Sequence, residues 1–281
     1  MRIFNTKNLL LLITAAFIVN LFPASVSAKK TEALSTKEYV ITAPPKELNF
    51  DFFYKKYFNI NGIHIMSSYR VPDSAFVKAC EIIDFMTSGL PKTVLAQMVK
   101  MNSRLGIMAR YEGTTDIPEH AHLAQDTSLN WDVRARGLGG DMQLPLTTCA
   151  EENLLCYQID KYHAEDITIH EFAHAIHLIG IAPLDPDFNK LLEEKLDKAM
   201  AAGKYKNTYA ATNIYEYWAE GVQNWFNVNA EVEKPDGKHN WVNTRDDMKK
   251  YDPDLYEIVS KYFPDFEVSP SCHSAGNLYT H

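Results

Sequence analysis

The 281-residue chain reads as an α+β protein, with short strands mixed among helices first and helices alone afterwards. Two observations carry that reading. The first half holds short apolar runs, at 62–69 and 105–111, separated by helix-periodic stretches. The second half carries longer helix-periodic stretches punctuated by Gly180 and Gly203. A mixed N-terminal lobe with a small twisted sheet, followed by a mainly helical C-terminal lobe, is the expected architecture.

The elements follow in order. Arg2 and Lys7 precede an apolar run at 9–22, and Val26 and Ala28 place small residues at a cleavage site. Residues 1–28 are a secretory signal peptide by this pattern, cut after Ala28. The expected location is secreted or periplasmic, without stable membrane insertion. Residues 29–47 are polar, end in Ala43-Pro44-Pro45, and read as a flexible lead-in to a domain over 48–281. A helix is expected from Asp73, which would cap it, to Met86, and another from Pro91 to Met101. The stretch 112–140 is rich in turn residues, and 137–144 is the candidate edge strand for an extended partner. Further helices are expected over 164–179, 187–202 and 212–226, the first two stopped by Gly180 and Gly203. Short ones follow near Asp246 and Tyr256.

Composition narrows the function. The formal net charge is -8 and no basic stripe occurs, which argues against a nucleic-acid partner. The four cysteines enter an oxidising compartment. Nearness in sequence pairs Cys149 with Cys156, leaving Cys80 for Cys272. The rival reading makes Cys80 a buried thiol on an apolar helix face.

The chemistry lies in His170-Glu171-Phe172-Ala173-His174. Residues four apart on a helix share a face, so His170 and His174 can hold one metal ion together. Glu171 then stands beside the ion as general base. Catalytic zinc takes a third protein ligand. A third histidine six residues after His174 is ruled out, because Gly180 stands there. A later helix offers Glu216 and Glu220, four apart on one face, and spacing does not rank them. His120, His122, His163 and the histidines of the tail have no partner spacing and read as surface residues.

Tyr209-x-x-Thr212-Asn213-x-x-Glu216-Tyr217-Trp218-Ala219-Glu220 resembles the second motif of the anthrax-lethal-factor-like gluzincins, which include the Pro-Pro endopeptidases. The resemblance covers about residues 166–226 and departs in having Trp218 where Phe is usual and in carrying His177. It implies a zincin-like metallopeptidase fold, one Zn2+ per chain on His170, His174 and Glu216, and Tyr209 as stabiliser of the oxyanion. Glu220 then becomes an acceptor for a ligand imidazole, and Asn213 and His177 support the site. The expected activity is zinc-dependent hydrolysis of a peptide or protein substrate. The rival classes are a secreted zinc protein that binds without turnover, and a zinc hydrolase acting on a non-peptide amide.

Overall fold

In the computed structural model, residues 38–265 and 269–274 are described. The signal-peptide segment lies outside them. The fold is mixed α+β, with one four-stranded sheet: β1 (Lys56–Ile60), β2 (Ile63–Ser67), β3 (Arg104–Met108) and β4 (Leu146–Ala150), in that order. β1 and β2 are antiparallel, and β2, β3 and β4 run parallel.

Two of these strands match the expected ones: β2 is trimmed at both ends, and β3 starts one residue earlier and ends three earlier than expected. β1 and β4 were not expected, and each has a physical reason. β1 turns into β2 at Asn61-Gly62, both with positive φ (52° and 92°). Asn-Gly is the residue pair that a tight hairpin turn favours, so this signal was present in the chain. β4 is buried at every position, so it lacks the alternation that marks a half-exposed strand. From Tyr39 the chain already lies against the sheet: Thr42 exchanges backbone hydrogen bonds with Tyr57, and Tyr39 packs edge-on to Phe58.

Helices α1 (Asp73–Ser88) and α2 (Lys92–Lys100) follow the sheet's first hairpin and lead into β3. Pro72, rather than Asp73, is the cap of α1, and the Asp73 carboxylate pairs with Lys56. A short α3 (Trp131–Arg134) interrupts the turn-rich stretch, and α4 (Glu151–Leu154) follows β4. Next come α5 (Ile167–Ala175), α6 (Phe188–Ala201), α7 (Ile214–Trp225), α8 (Arg245–Tyr251) and α9 (Pro253–Val259). Among the described residues no helix is long and apolar enough to cross a membrane.

Gly180 does not stop the helix it was expected to end. The chain passes through it in a π-helical turn, Ile176–Ile181. A Cβ at Gly180 would lie 2.8 Å from Val94 and 3.0 Å from Met98. The glycine is there for close packing against α2.

The main core joins the sheet, α1, α2 and the helices from α5 onward, with Phe76, Phe172, Phe188, Trp218 and Phe226 as its bulk. A smaller cluster around Tyr54, Tyr57, Met66 and Leu146 also packs on the sheet. The cysteine pairing is corrected: Cys156 is joined to Cys272 across a Cα–Cα distance of 6.3 Å. Cys149 is buried within β4, whereas Cys156 lies beyond α4 with φ 50°, beside the tail. Nearness in sequence did not survive the turn through α4. Cys80 is a buried thiol on α1, as the rival reading had it.

Candidate metal centre

Asp166 caps α5 by accepting from the amide of Ile169 at 2.9 Å, which sets the phase of the helix. His170 and His174 then share one face, and their Nε2 atoms lie 3.2 Å apart. Asn213 caps α7 in the same way, accepting from the amides of Tyr215 and Glu216 at 2.9 and 3.0 Å. Its support of the site is therefore indirect: it starts the helix one residue ahead of the turn that carries Glu216. α7 packs against α5, and the Trp218 indole donates to the carbonyl of Ala173 at 2.9 Å. That bond ties the helices together one residue before His174.

The crossing brings Glu216 to the histidines. Its Oε2 lies 3.1 Å from His170 Nε2 and 3.5 Å from His174 Nε2. Burial opposes a charge on His170, but the hydrogen bond to Glu216 and the charges of Glu171, Glu220 and Glu216 outweigh it and push its pKa up to about 10. Burial would raise Glu216, but its bonds to His170 and His174 hold it well below the usual carboxylate range. Each partner thus favours the charged form of the other.

Glu220, the other candidate, faces the opposite side of the His170 ring. Its Oε1 is 3.9 Å from His170 Nδ1, beyond a hydrogen bond. The partner of Nδ1 is Gln223, whose Oε1 lies at 2.8 Å. The expectation that Glu220 accepts from the imidazole is corrected here. Glu220 sits one turn too early on α7, and it accepts instead from Asn229 at 2.8 Å. Gln223 Nε2 donates to the Asp166 carbonyl at 3.2 Å and reaches Glu165 at 3.4 Å. A carbonyl can only accept, so the amide is oriented with its oxygen toward His170. Glu165 in turn meets His239 Nε2 at 3.3 Å. Gln223, Glu165 and His239 were missed in the sequence. Gln223 could have been found, since it lies one turn beyond Glu220 minus one residue on the same helix. His239 lies on a loop with no periodic signal.

Glu171 is held on the flank of α5, where burial raises its pKa against the opposing effects of His170 and His174. Tyr209 stacks on the His170 ring with centroids 6.4 Å apart, and its amide donates to the Lys238 carbonyl at 2.7 Å. His170, Glu171, His174, Tyr209 and Glu216 together line one cleft of about 890 Å³. His177 points away from it. It is fully buried, bonded to Asn189 at 2.6 Å, and packed on Phe188, Tyr215 and Trp218. Burial lowers its pKa to about 4, so it is a neutral core residue. His122 and His163 are exposed as expected, but His120 and His273 are buried.

The segment expected as an edge strand meets the expectation only at Leu138, which exchanges backbone bonds with Thr148 of β4 at 3.3 and 2.8 Å. Residues 141–144 form a turn around the Asp141 carboxylate. The glycines let this segment lie on α5. A Cβ on Gly137 would stand 3.0 Å from Glu171 Cγ, and one on Gly139 would stand 2.7 Å from His174 Cβ.

No protein-family model and no curated protein matches this chain. The solved structure of the Pro-Pro endopeptidase of Paenibacillus alvei resembles it with a TM-score of 0.49 and 16% identity, over 70% of this chain and 96% of that one.

Proposed function

We propose that the protein is a zinc-dependent metallopeptidase. The observation that carries this is the convergence of His170 Nε2, His174 Nε2 and Glu216 Oε2, within 3.1–3.5 Å of one another, at the wall of a cleft shared with Glu171 and Tyr209. Two imidazoles and one carboxylate are the donor set that zinc takes in catalytic sites. The fit is supported by Gln223: with Nδ1 of His170 donating to its amide oxygen, Nε2 is the nitrogen that faces the other two donors and can bind a metal on losing its proton.

A zinc ion on these three residues would acidify a water and polarise a peptide carbonyl. The Glu171 carboxylate is the residue that would accept a proton from the attacking water and pass it to the leaving amine. Its burial favours the proton-accepting step, because a carboxylate with a raised pKa is a stronger base. The Tyr209 hydroxyl donates to the oxygen on which charge develops. A cleft of about 890 Å³, with Leu138 on its wall, has room for several residues of a peptide.

The test joins metal analysis to digestion. Purified protein, reconstituted with zinc and cleared of excess, should hold one ion per chain and cleave peptides in a random library. Absence of zinc after reconstitution removes the proposal. One zinc without cleavage would leave a binding protein.

A further inference from the structure

The carboxylates and cations around the cleft are treated differently by the fold. Asp141 is spent on its own turn, Glu165 on His239, Glu216 on the two histidines, and Glu220 on Asn229. Only Glu171 is held back, and the proposed reaction uses it. The two cations lining the same cleft are Arg134 and Lys238, and among the described residues neither forms an ion pair with a carboxylate. Both are exposed at its edge.

Lys238 is tied to Tyr209 through its backbone, and Arg134 lines the same cleft. The Lys238 carbonyl accepts from the Tyr209 amide at 2.7 Å. A third cation stands behind them: Lys161 donates to the carbonyls of Val133 and Arg134 at 2.8 and 3.0 Å. Burial, with the nearby charges of Arg134, Arg136 and Lys238, pushes the Lys161 pKa down. In a chain of net charge -8, two exposed cations at the edge of a cleft otherwise lined by carboxylates mark where an anionic group can be held.

We infer that the cleft selects peptides presenting a carboxylate on the Tyr209 side of the reacting bond, held by Arg134 and Lys238. This rests on the peptidase reading above. The carboxylate has two possible sources, an Asp or Glu side chain within the chain or the free C-terminus of a short peptide. Arg supplies a flat two-pronged donor and Lys a mobile point charge, so either form is bound without a deep pocket.

The test uses the zinc-loaded full chain and matched peptides. One arm compares N-acetylated, C-amidated peptides that differ only in a Glu or Gln scanned across positions. A second arm compares a neutral peptide with free or amidated C-terminus. A preference of roughly tenfold in kcat/KM for the carboxylate member of a pair is expected, shrinking as salt is raised. The arm that shows it identifies the source. Arg134→Glu and Lys238→Glu should invert the preference toward Lys-containing peptides; both positions are exposed, so folding is not at risk. Equal rates for Glu and Gln peptides and for both C-termini overturn the inference while leaving the peptidase reading intact. So does unchanged selectivity in both variants. Failure to cleave any peptide overturns that reading and the inference with it.

Discussion

Gln223 holds His170 by its Nδ1 at 2.8 Å, and the amide is itself pinned by the Asp166 carbonyl at the start of the same helix that carries the histidine. The cap residue of α5 thus positions both the helix and, through Gln223, the ring orientation of the candidate ligand. Removing an outer partner of a ligating imidazole costs about 10–100-fold in metal affinity or activity. Gln223→Leu should lose zinc in that range in a chelator competition. Gln223→Glu, which keeps an acceptor, should recover most of it. Parent-like zinc retention by Gln223→Leu would show that the bond does not position the ring.

Glu216 and Glu220 part company in the same assay. Glu216→Ala leaves two imidazoles and should empty the site at ordinary zinc concentrations. Glu220→Ala touches neither Nε2 donor and should retain metal, since its closest approach is 3.9 Å from the far nitrogen of His170. Tighter retention by Glu216→Ala than by Glu220→Ala would reverse the assignment.

Glu171→Gln preserves shape and removes the base, so it should keep its zinc and lose about 10²–10⁴-fold in turnover. Tyr209→Phe should also hold zinc and slow kcat with little change in KM, because its hydroxyl acts only as charge develops. Hydrolysis by Glu171→Gln at the parent rate excludes Glu171 as the base.

Zinc binding should release a proton. The metal-free His170 titrates at about 10, raised from the ordinary 6.5. Its paired, charged form stabilises the metal-free chain fully below about pH 6.5, and this is lost as pH rises through 10. Glu216 is already ionised throughout that range. Zinc must displace the proton on Nε2, so apparent affinity should climb about tenfold per pH unit through neutrality. Calorimetry in buffers of differing ionisation enthalpy should read close to one proton released at pH 7.5. A value near zero would mean that the pair is not protonated.

Gly139→Ala probes the close approach of the edge segment to the metal helix. The added methyl meets His174 at 2.7 Å, so ring or segment must shift. A displacement near 1 Å at a reacting centre can cost about 10²-fold in rate. A loss of this size in kcat/KM, with the fold's melting behaviour nearly retained, is expected. An unchanged rate would show that the segment yields freely.

Spacing along one helix determined that His170 and His174 face the same way, because a helix repeats every 3.6 residues whatever surrounds it. The same local rules gave most helix spans and the stop at Gly203, which takes the positive φ (78°) that ends α6. The choice of Glu216 over Glu220 as neighbour of the histidines depended on how α7 crosses α5, and no one-dimensional spacing encodes a crossing. So did the replacement of Glu220 by Gln223 at Nδ1. The Cys156–Cys272 link joins positions 116 residues apart, which only the path of the tail brings together. Gly180 shows the same division: a glycine's freedom to end a helix is local, but its lack of a side chain mattered here because α2 lies against it. Periodicity and motif are properties of one element. Partners across elements are set by packing, where a single buried Trp218 bond to Ala173 helps fix which carboxylate meets which ring.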